Sequence, residues 1–259
     1  MPFHTNSGIS YFQFDIFNGA ITHAIFTRRG GMSPEPWASL NMGSTVGDEP
    51  DRVRENRRLA LATQSCDLSS VYDVWQVHSV NVVVASAPRA PDTPHLQADA
   101  IITNLPQLML MMRFADCVPI LIHDPIRKAV GIVHAGWMGT VRGVVSIAVD
   151  AMQEHFQSDP ADMVAAIGPS IGPDHYEVGS DVAVQVKEAF GGEASKILSN
   201  EDYVIRLDLW EANRLLLEHA GVRHIEMAGL CTACHTEDWF SHRAEKGRTG
   251  RFGAIIGLK

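Results

Sequence analysis

Two apolar runs, CVPILIH and AVGIVHA, flank the tetrapeptide Asp124-Pro125-Ile126-Arg127, whose first two residues are a type I turn signature. If the runs pair directly around those four residues, Cys117 faces His134. Directly opposed residues of an antiparallel pair lie roughly 4.5–5.5 Å apart at Cβ, on one face. A thiolate and an imidazole so placed can hold one metal ion or work as a Cys–His pair. A slip of one residue would put them on opposite faces. His78 offers a third donor, because in VWQVHSVNV the positions Val74, Gln76, His78 and Val80 share one face of a strand. One thiolate and two imidazoles suit zinc, and three protein ligands leave a fourth position for water. Zinc brings the pKa of such a water down toward ~7, which makes it a nucleophile at neutral pH.

Other residues bear on the same chemistry. Asp116, beside Cys117, and Asp99 in ADAIIT are the carboxylates available to shuttle a proton. Adjacent strand residues point to opposite faces, which suits Asp116 to a supporting place rather than to the shuttle. In HAGWMGTVRGVV, small residues lead from a strand end into a helix, and free N–H groups at a helix start bind anions. Arg28, Arg243, Arg248 and Arg251 can supply bidentate donors. Arg28, between a strand end and Gly30-Gly31, is the best placed of them. CTACH at 231–235 has the spacing of covalent haem attachment, but no export leader accompanies it and no thioredoxin-like pattern surrounds it. Its use is read as structural or incidental. Met109, Met111 and Met112 read as core packing.

Positioning these residues takes both strands and helices. Ile21 to Thr27 reads as a strand, Val74 to Ala85 as β-rich, and Cys117–His123 and Ala129–His134 as short buried strands. Phe252 to Leu258 is a terminal strand. A helix is expected from Pro50 to about Ala62, capped by Asp48 or Glu49, and another after Thr140, where apolar residues recur at helical spacing. Asp208 to His219 carries the clearest signals, an Asp cap and Gly221 beyond the end. Strands and helices mixed with a hairpin indicate an α+β class.

Composition narrows the function. The chain has 259 residues and a formal net charge of −9, against binding nucleic acid or an anionic membrane through a basic face. That length buries enough surface for one compact domain. No apolar run approaches the roughly 18 residues of a membrane span. MPFHTNSGISYF lacks a basic segment followed by an apolar one, so a cytoplasmic location with four reduced cysteines is expected.

The runs TRRGG, ASLNMG, VGDEP, ENRR, VWQVHSVNV, ADAIIT, ADCVPILIHDP, VGIVHAGW, GPSIGPDHYEVG and FSHRAEKGRTGR, in that order, resemble the YfiH family, also called the polyphenol oxidoreductase or laccase-domain family. The resemblance implies a layered α/β/β/α fold and zinc held by His78, Cys117 and His134. It also implies phosphorolysis of adenosine, inosine, guanosine and methylthioadenosine, and deamination of adenosine by a metal-activated water, with Asn41 as a ribose or base contact. Partners are then a purine nucleoside and phosphate. Two departures stand out: Met138 follows HAGW where the family usually has Arg, and Ser170 stands where GPCIG is common. Three rivals remain. Copper with Met138 as a weak ligand would make a phenol oxidase, Cys117 and His134 without metal would make a hydrolase, and a binding protein would show no turnover.

Overall fold

A computed structural model describes residues 2–259. Its strands are, in chain order, β1 (Phe3–Asn6), β2 (Ile9–Phe12), β3 (Ile21–Phe26), β4 (Val71–Asp73), β5 (Val82–Val84), β6 (Ala100–Thr103), β7 (Met109–Phe114), β8 (Val118–Asp124), β9 (Ala129–Ala135), β10 (Val164–Ile167), β11 (Leu198–Glu201), β12 (Val204–Leu207), β13 (His224–Met227) and β14 (Phe252–Leu258). The α-helices are α1 (Pro50–Ala62), α2 (Trp137–Val141), α3 (Val144–Phe156), α4 (Ser180–Phe190), α5 (Ala194–Ile197) and α6 (Leu209–His219).

Two mixed sheets form, ordered β1-β2-β3-β14-β7-β4 and β13-β10-β8-β9-β6-β5. Alternation along each strand decides what they face. Phe12, Ile25, Leu110, Phe114 and Ile256 of the first sheet meet Ile101, Leu121 and Ile132 of the second in a core between them. The neighbouring residues Ile102, Ile120, Ile122 and Val133 point the other way and pack on Val145, Val149 and Met152 of α3 and Leu215 of α6. Across the first sheet, Ala24, Phe26, Met111 and Ile255 cover Ala60 and Leu61 of α1. The layers are therefore helix, sheet, sheet, helix, in an α+β chain. No helix among the described residues is long and apolar enough to cross a membrane.

The β8–β9 hairpin departs from the expected register. Asp124 Oδ1 accepts from the backbone N–H groups of Ile126 and Arg127 at 2.8 and 2.9 Å, making the turn the sequence promised. Lys128 then adopts a left-handed φ of 50°, and the ladder closes with Asp124 opposite Ala129. A type I turn alone splays the strands, and the extra left-handed residue restores their twist. His134 consequently faces Pro119, not Cys117. The shift is two residues, so Cys117 and His134 keep to one face as diagonal neighbours.

Two other elements differ. The segment between β4 and β5 is not a strand, and His78 within it has φ of 58°. The helix expected after Thr140 starts earlier, at Trp137, and is broken at Gly143, whose φ is 75°. By contrast α6 begins as expected, with the Asp208 carboxylate accepting from Glu211 N–H at 2.9 Å.

Candidate metal centre

Cys117 lies just before β8, His134 is next to last in β9, and His78 comes from the β4–β5 loop. Their donor atoms all fall within 4.8 Å of one another, and Cys117 Sγ is 3.8 Å from His78 Nε2. The two imidazole centroids are 5.0 Å apart. Asp99 arranges both rings. Its Oδ1 accepts from His134 Nδ1 at 2.8 Å, leaving Nε2 as the ligand atom, and its Oδ2 accepts from the backbone N–H groups of Val77 (3.2 Å) and Ser79 (2.6 Å), on either side of His78. Gln76 fastens the same loop to β7, its side-chain amide donating to Arg113 O and accepting from Arg113 N–H. Gly136 keeps the space open, because a Cβ there would lie 2.9 Å from Cys117 Sγ and 3.0 Å from His78 Cδ2.

Burial opposes charge on the Cys117 thiol, but the His134 charge and hydrogen bonds from both histidines outweigh it and bring the thiol down to about 6. Burial likewise opposes charge on His134, and the Cys117 thiolate together with Asp99 reverses that, lifting it to about 9. Each charge favours the other, a thiolate beside an imidazolium. The His–Cys–His donor set fits a divalent ion, which would take the place of the imidazolium proton. The three side chains line a cavity of about 480 Å³ with Arg113, Asp116, Trp137, Tyr176, Arg243 and Arg251. That volume is ordinary for a small-molecule site, roughly 300–1,000 Å³.

Residues 22–259 match the family described as multi-copper polyphenol oxidoreductase laccase. The chain belongs to that family. A purine nucleoside phosphorylase of Deinococcus radiodurans is 39% identical over 241 residues, covering 93% of this chain and 90% of that one. The purine nucleoside phosphorylase YlmD of Bacillus subtilis is 34% identical over 252 residues, covering 93% and 90%. The crystal structure of the Bacillus licheniformis hypothetical protein YfiH superposes with a TM-score of 0.93 at 35% identity, covering 100% of this chain and 99% of that chain. The family's layered α+β fold is the one described above.

The remaining candidates separate into those at the cavity and those away from it. Arg243 and Arg251 line it. Arg251 Nη1 donates to Gly250 O at 2.8 Å, and Arg243 Nη1 donates to Glu177 O at 3.0 Å. Asp116 also lines it, contrary to the alternation argument, because its φ of 80° breaks the strand at that residue. Its carboxylate accepts from Thr232 Oγ1 (2.7 Å) and Arg243 N–H (2.6 Å). Asp99 does not fit a shuttle: fully buried behind His134, it has both oxygens engaged and does not line the cavity. Arg28, expected at the substrate, lies elsewhere. It lines a separate depression, where its guanidinium donates to Ala38 O, Thr236 O and Glu245 and lies over the Phe240 ring. Asn41 is fully buried and does not line the metal-centre cavity; its side-chain oxygen accepts from Gly43 and Arg251 N–H groups, so it shapes the wall from behind. Arg248 and Met138 are not cavity residues.

Sequence reasoning missed Arg113, Trp137 and Tyr176. Arg113 is the one charge inside LMLMMRFA, a cation set into a buried strand. The structure explains it: Asp73 accepts from Arg113 and Arg89 and contacts His95. Burial works against that carboxylate, yet the Arg113 charge and its companions hold it down at about 2.

Proposed function

We propose that the chain is a zinc-dependent purine nucleoside enzyme acting as one domain in the cytoplasm. It cleaves adenosine, inosine, guanosine or methylthioadenosine with phosphate and deaminates adenosine with water. The observation that carries the reading is a His–Cys–His donor set beside three arginines and aromatic walls in a cavity of about 480 Å³. Relatives named purine nucleoside phosphorylase give the substrate class.

His78, Cys117 and His134 would hold the zinc, which when bound supplies a Lewis acid and lowers the pKa of water. Arg243 and Arg251 hold the phosphate by charge-assisted hydrogen bonds. Arg251 uses Nη1 on the backbone, which keeps Nε and Nη2 for the ligand. The aromatic faces of Trp137 and Tyr176 receive the purine and keep bulk water from it. Burial, reinforced by the Cys117 charge, pushes the Tyr176 phenol up, so it stays protonated as a donor. In phosphorolysis a phosphate oxygen bonds to C1′ as the C1′–N9 bond breaks, giving the sugar 1-phosphate (ribose 1-phosphate, or its 5-methylthio analogue from methylthioadenosine) and a purine that takes up a proton. In deamination water oxygen bonds to C6, the C6–N6 bond breaks, and ammonia leaves inosine.

Incubating the zinc-loaded protein with adenosine, and in parallel with inosine, guanosine and methylthioadenosine, tests this. Adenine with ribose 1-phosphate is expected when phosphate is present, and inosine with ammonia when it is omitted. Failure to convert any of the four nucleosides overturns the reading. Turnover that survives complete chelation would favour the Cys117 thiolate as nucleophile with His134 as its acid–base partner, a role the lowered thiol supports. Stoichiometric copper with an intense thiolate-to-copper band would replace zinc by copper.

A further inference from the structure

The CTACH segment has a use that neither haem nor the cavity accounts for. Cys231 and Cys234 meet Asp174 and His175, and one donor atom from each of the four lies within 4.8 Å of all the others. Asp174 Oδ2 is 3.0 Å from His175 Nδ1. Cys234 Sγ is 3.5 Å from each of those two atoms, and Cys231 Sγ is 3.9 Å from His175 Nδ1. Zinc bonds of ~2.3 Å to sulfur and ~2.0–2.1 Å to nitrogen or oxygen put tetrahedral donors roughly 3.3–3.8 Å apart. The observed spacings bracket that range.

We propose that Asp174, His175, Cys231 and Cys234 form a second, structural zinc site. Unlike the three-residue centre, it has a full set of four protein donors, the mark of a closed structural site. Its surroundings fit a thiolate: Gly172 N–H donates to Cys231 Sγ at 3.2 Å. A Cβ at Gly172 would sit 2.7 Å from Asp174 Oδ1 and 3.1 Å from Cys231 Cβ, so only glycine lets the two loops close this tightly. On binding, zinc displaces one proton from each thiol, and both protons leave to solvent. Two thiolates and a carboxylate then leave the site with one net negative charge, which the exposure of Asp174, His175 and Cys234 allows water to screen.

The site fastens the loop at 172–177 to the loop at 231–234, and both serve the cavity. Tyr176, a wall residue, follows His175 directly. Thr232, between the cysteines, donates to Asp116 at 2.7 Å, and Arg243 reaches back to Glu177 O. Zinc here sets the wall against which substrate binds, while taking no part in bond making. The inference rests on its own donor set and stands whether or not the nucleoside reading does.

The full-length protein is purified with reductant, and zinc per chain is measured by mass spectrometry. Wild type is expected to hold two ions, His78→Ala one, and His78→Ala with Cys234→Ser none. Cobalt(II) loaded into His78→Ala should show tetrahedral d–d bands with thiolate-to-cobalt charge transfer, and Cys234→Ser should abolish both. Asp174→Asn, at an exposed carboxylate, should keep the fold and weaken the second ion at least tenfold in competition with a chelator. The proposal is overturned if His78→Ala binds no ion, if the count ignores Cys234→Ser, or if the reduced protein holds a Cys231–Cys234 disulfide instead.

Discussion

His134 Nδ1 donates to Asp99 Oδ1 at 2.8 Å, and the other oxygen of the same carboxylate takes the backbone N–H groups on both sides of His78. One buried side chain thus orients two histidines from different elements. Asp99→Asn keeps the shape but turns an N–H₂ toward at least one of these donors and removes the charge. Metal affinity at the three-residue centre should fall 10–100-fold, in line with other partners of ligating histidines. Chelator competition measures it, and an unchanged affinity would leave Asp99 without this role.

Gly136→Ala places a methyl group 2.9 Å from Cys117 Sγ. Neither sulfur nor imidazole can give way without leaving the other donors. Metal binding at this centre and turnover should drop at least tenfold together. The thermal midpoint of the metal-stripped protein should change little, because the added methyl projects toward the donors. Metal content and differential scanning calorimetry of the stripped form read the two effects separately.

Removing the metal should expose a reactive thiolate. Burial raises the Cys117 thiol, and the His134 charge and two histidine hydrogen bonds more than reverse it, to about 6. In chelated protein, alkylation of Cys117 by iodoacetamide should rise through a midpoint near pH 6 and be complete well below the range of an ordinary thiol. Zinc should protect it. Peptide mapping identifies the modified cysteine, and a midpoint above pH 8 would contradict the ion pair.

The elements were legible wherever a local signal sufficed. Pro50 opens α1, the Asp208 side chain caps α6, and β14 spans the apolar run Phe252–Leu258. The convergence of the three donor side chains was legible for a subtler reason. The hairpin register was displaced by two residues, and because side chains alternate with period two, Cys117 and His134 still share a face. His78 was found in spite of its assigned strand: VWQVHSVNV alternates like one, but the pull of Asp99 on Val77 and Ser79 and the left-handed backbone at His78 come from contacts distant in sequence. Arg28 misled for the same kind of reason. Its neighbours Glu245 and Phe240 lie more than two hundred residues away, and they bury a guanidinium that the Gly-Gly turn had suggested was free.

That correction has a measurable consequence. Arg28→Ala strands Glu245 and two carbonyls, and should cost about 2 kcal/mol or more of stability while leaving kcat/KM within about threefold. Arg251→Gln, at the cavity, should raise KM for phosphate about tenfold and cost less stability than Arg28→Ala, because it frees two carbonyls but breaks no ion pair. Urea unfolding and steady-state kinetics on both variants check the contrast. A phosphate KM that moved with Arg28 and not with Arg251 would return Arg28 to the substrate.

Acid should destabilise the fold through His23. Its Nε2 accepts from Phe14 N–H at 2.9 Å inside an aromatic cage, and burial drives the ring down from 6.5 to about 4. Between those values the unfolded chain holds a proton that the folded one refuses, so stability falls as pH drops through this window and is untouched above it. The loss approaches about 3 kcal/mol by the lower end. Urea titrations from pH 7.5 to 4.5 should show that slope, and His23→Gln should reduce it. An unaltered slope in the variant would assign the effect elsewhere.

The proposed chemistry needs His78, Cys117 and His134 to converge on one ion at the cavity. The direct measurement is His134→Ala, assayed together for metal content and nucleoside turnover. Loss of one metal equivalent per chain, with activity falling at least a thousandfold and the fold intact by circular dichroism, is the expected result. A variant that loses the ion and keeps full turnover, or keeps both, would contradict it.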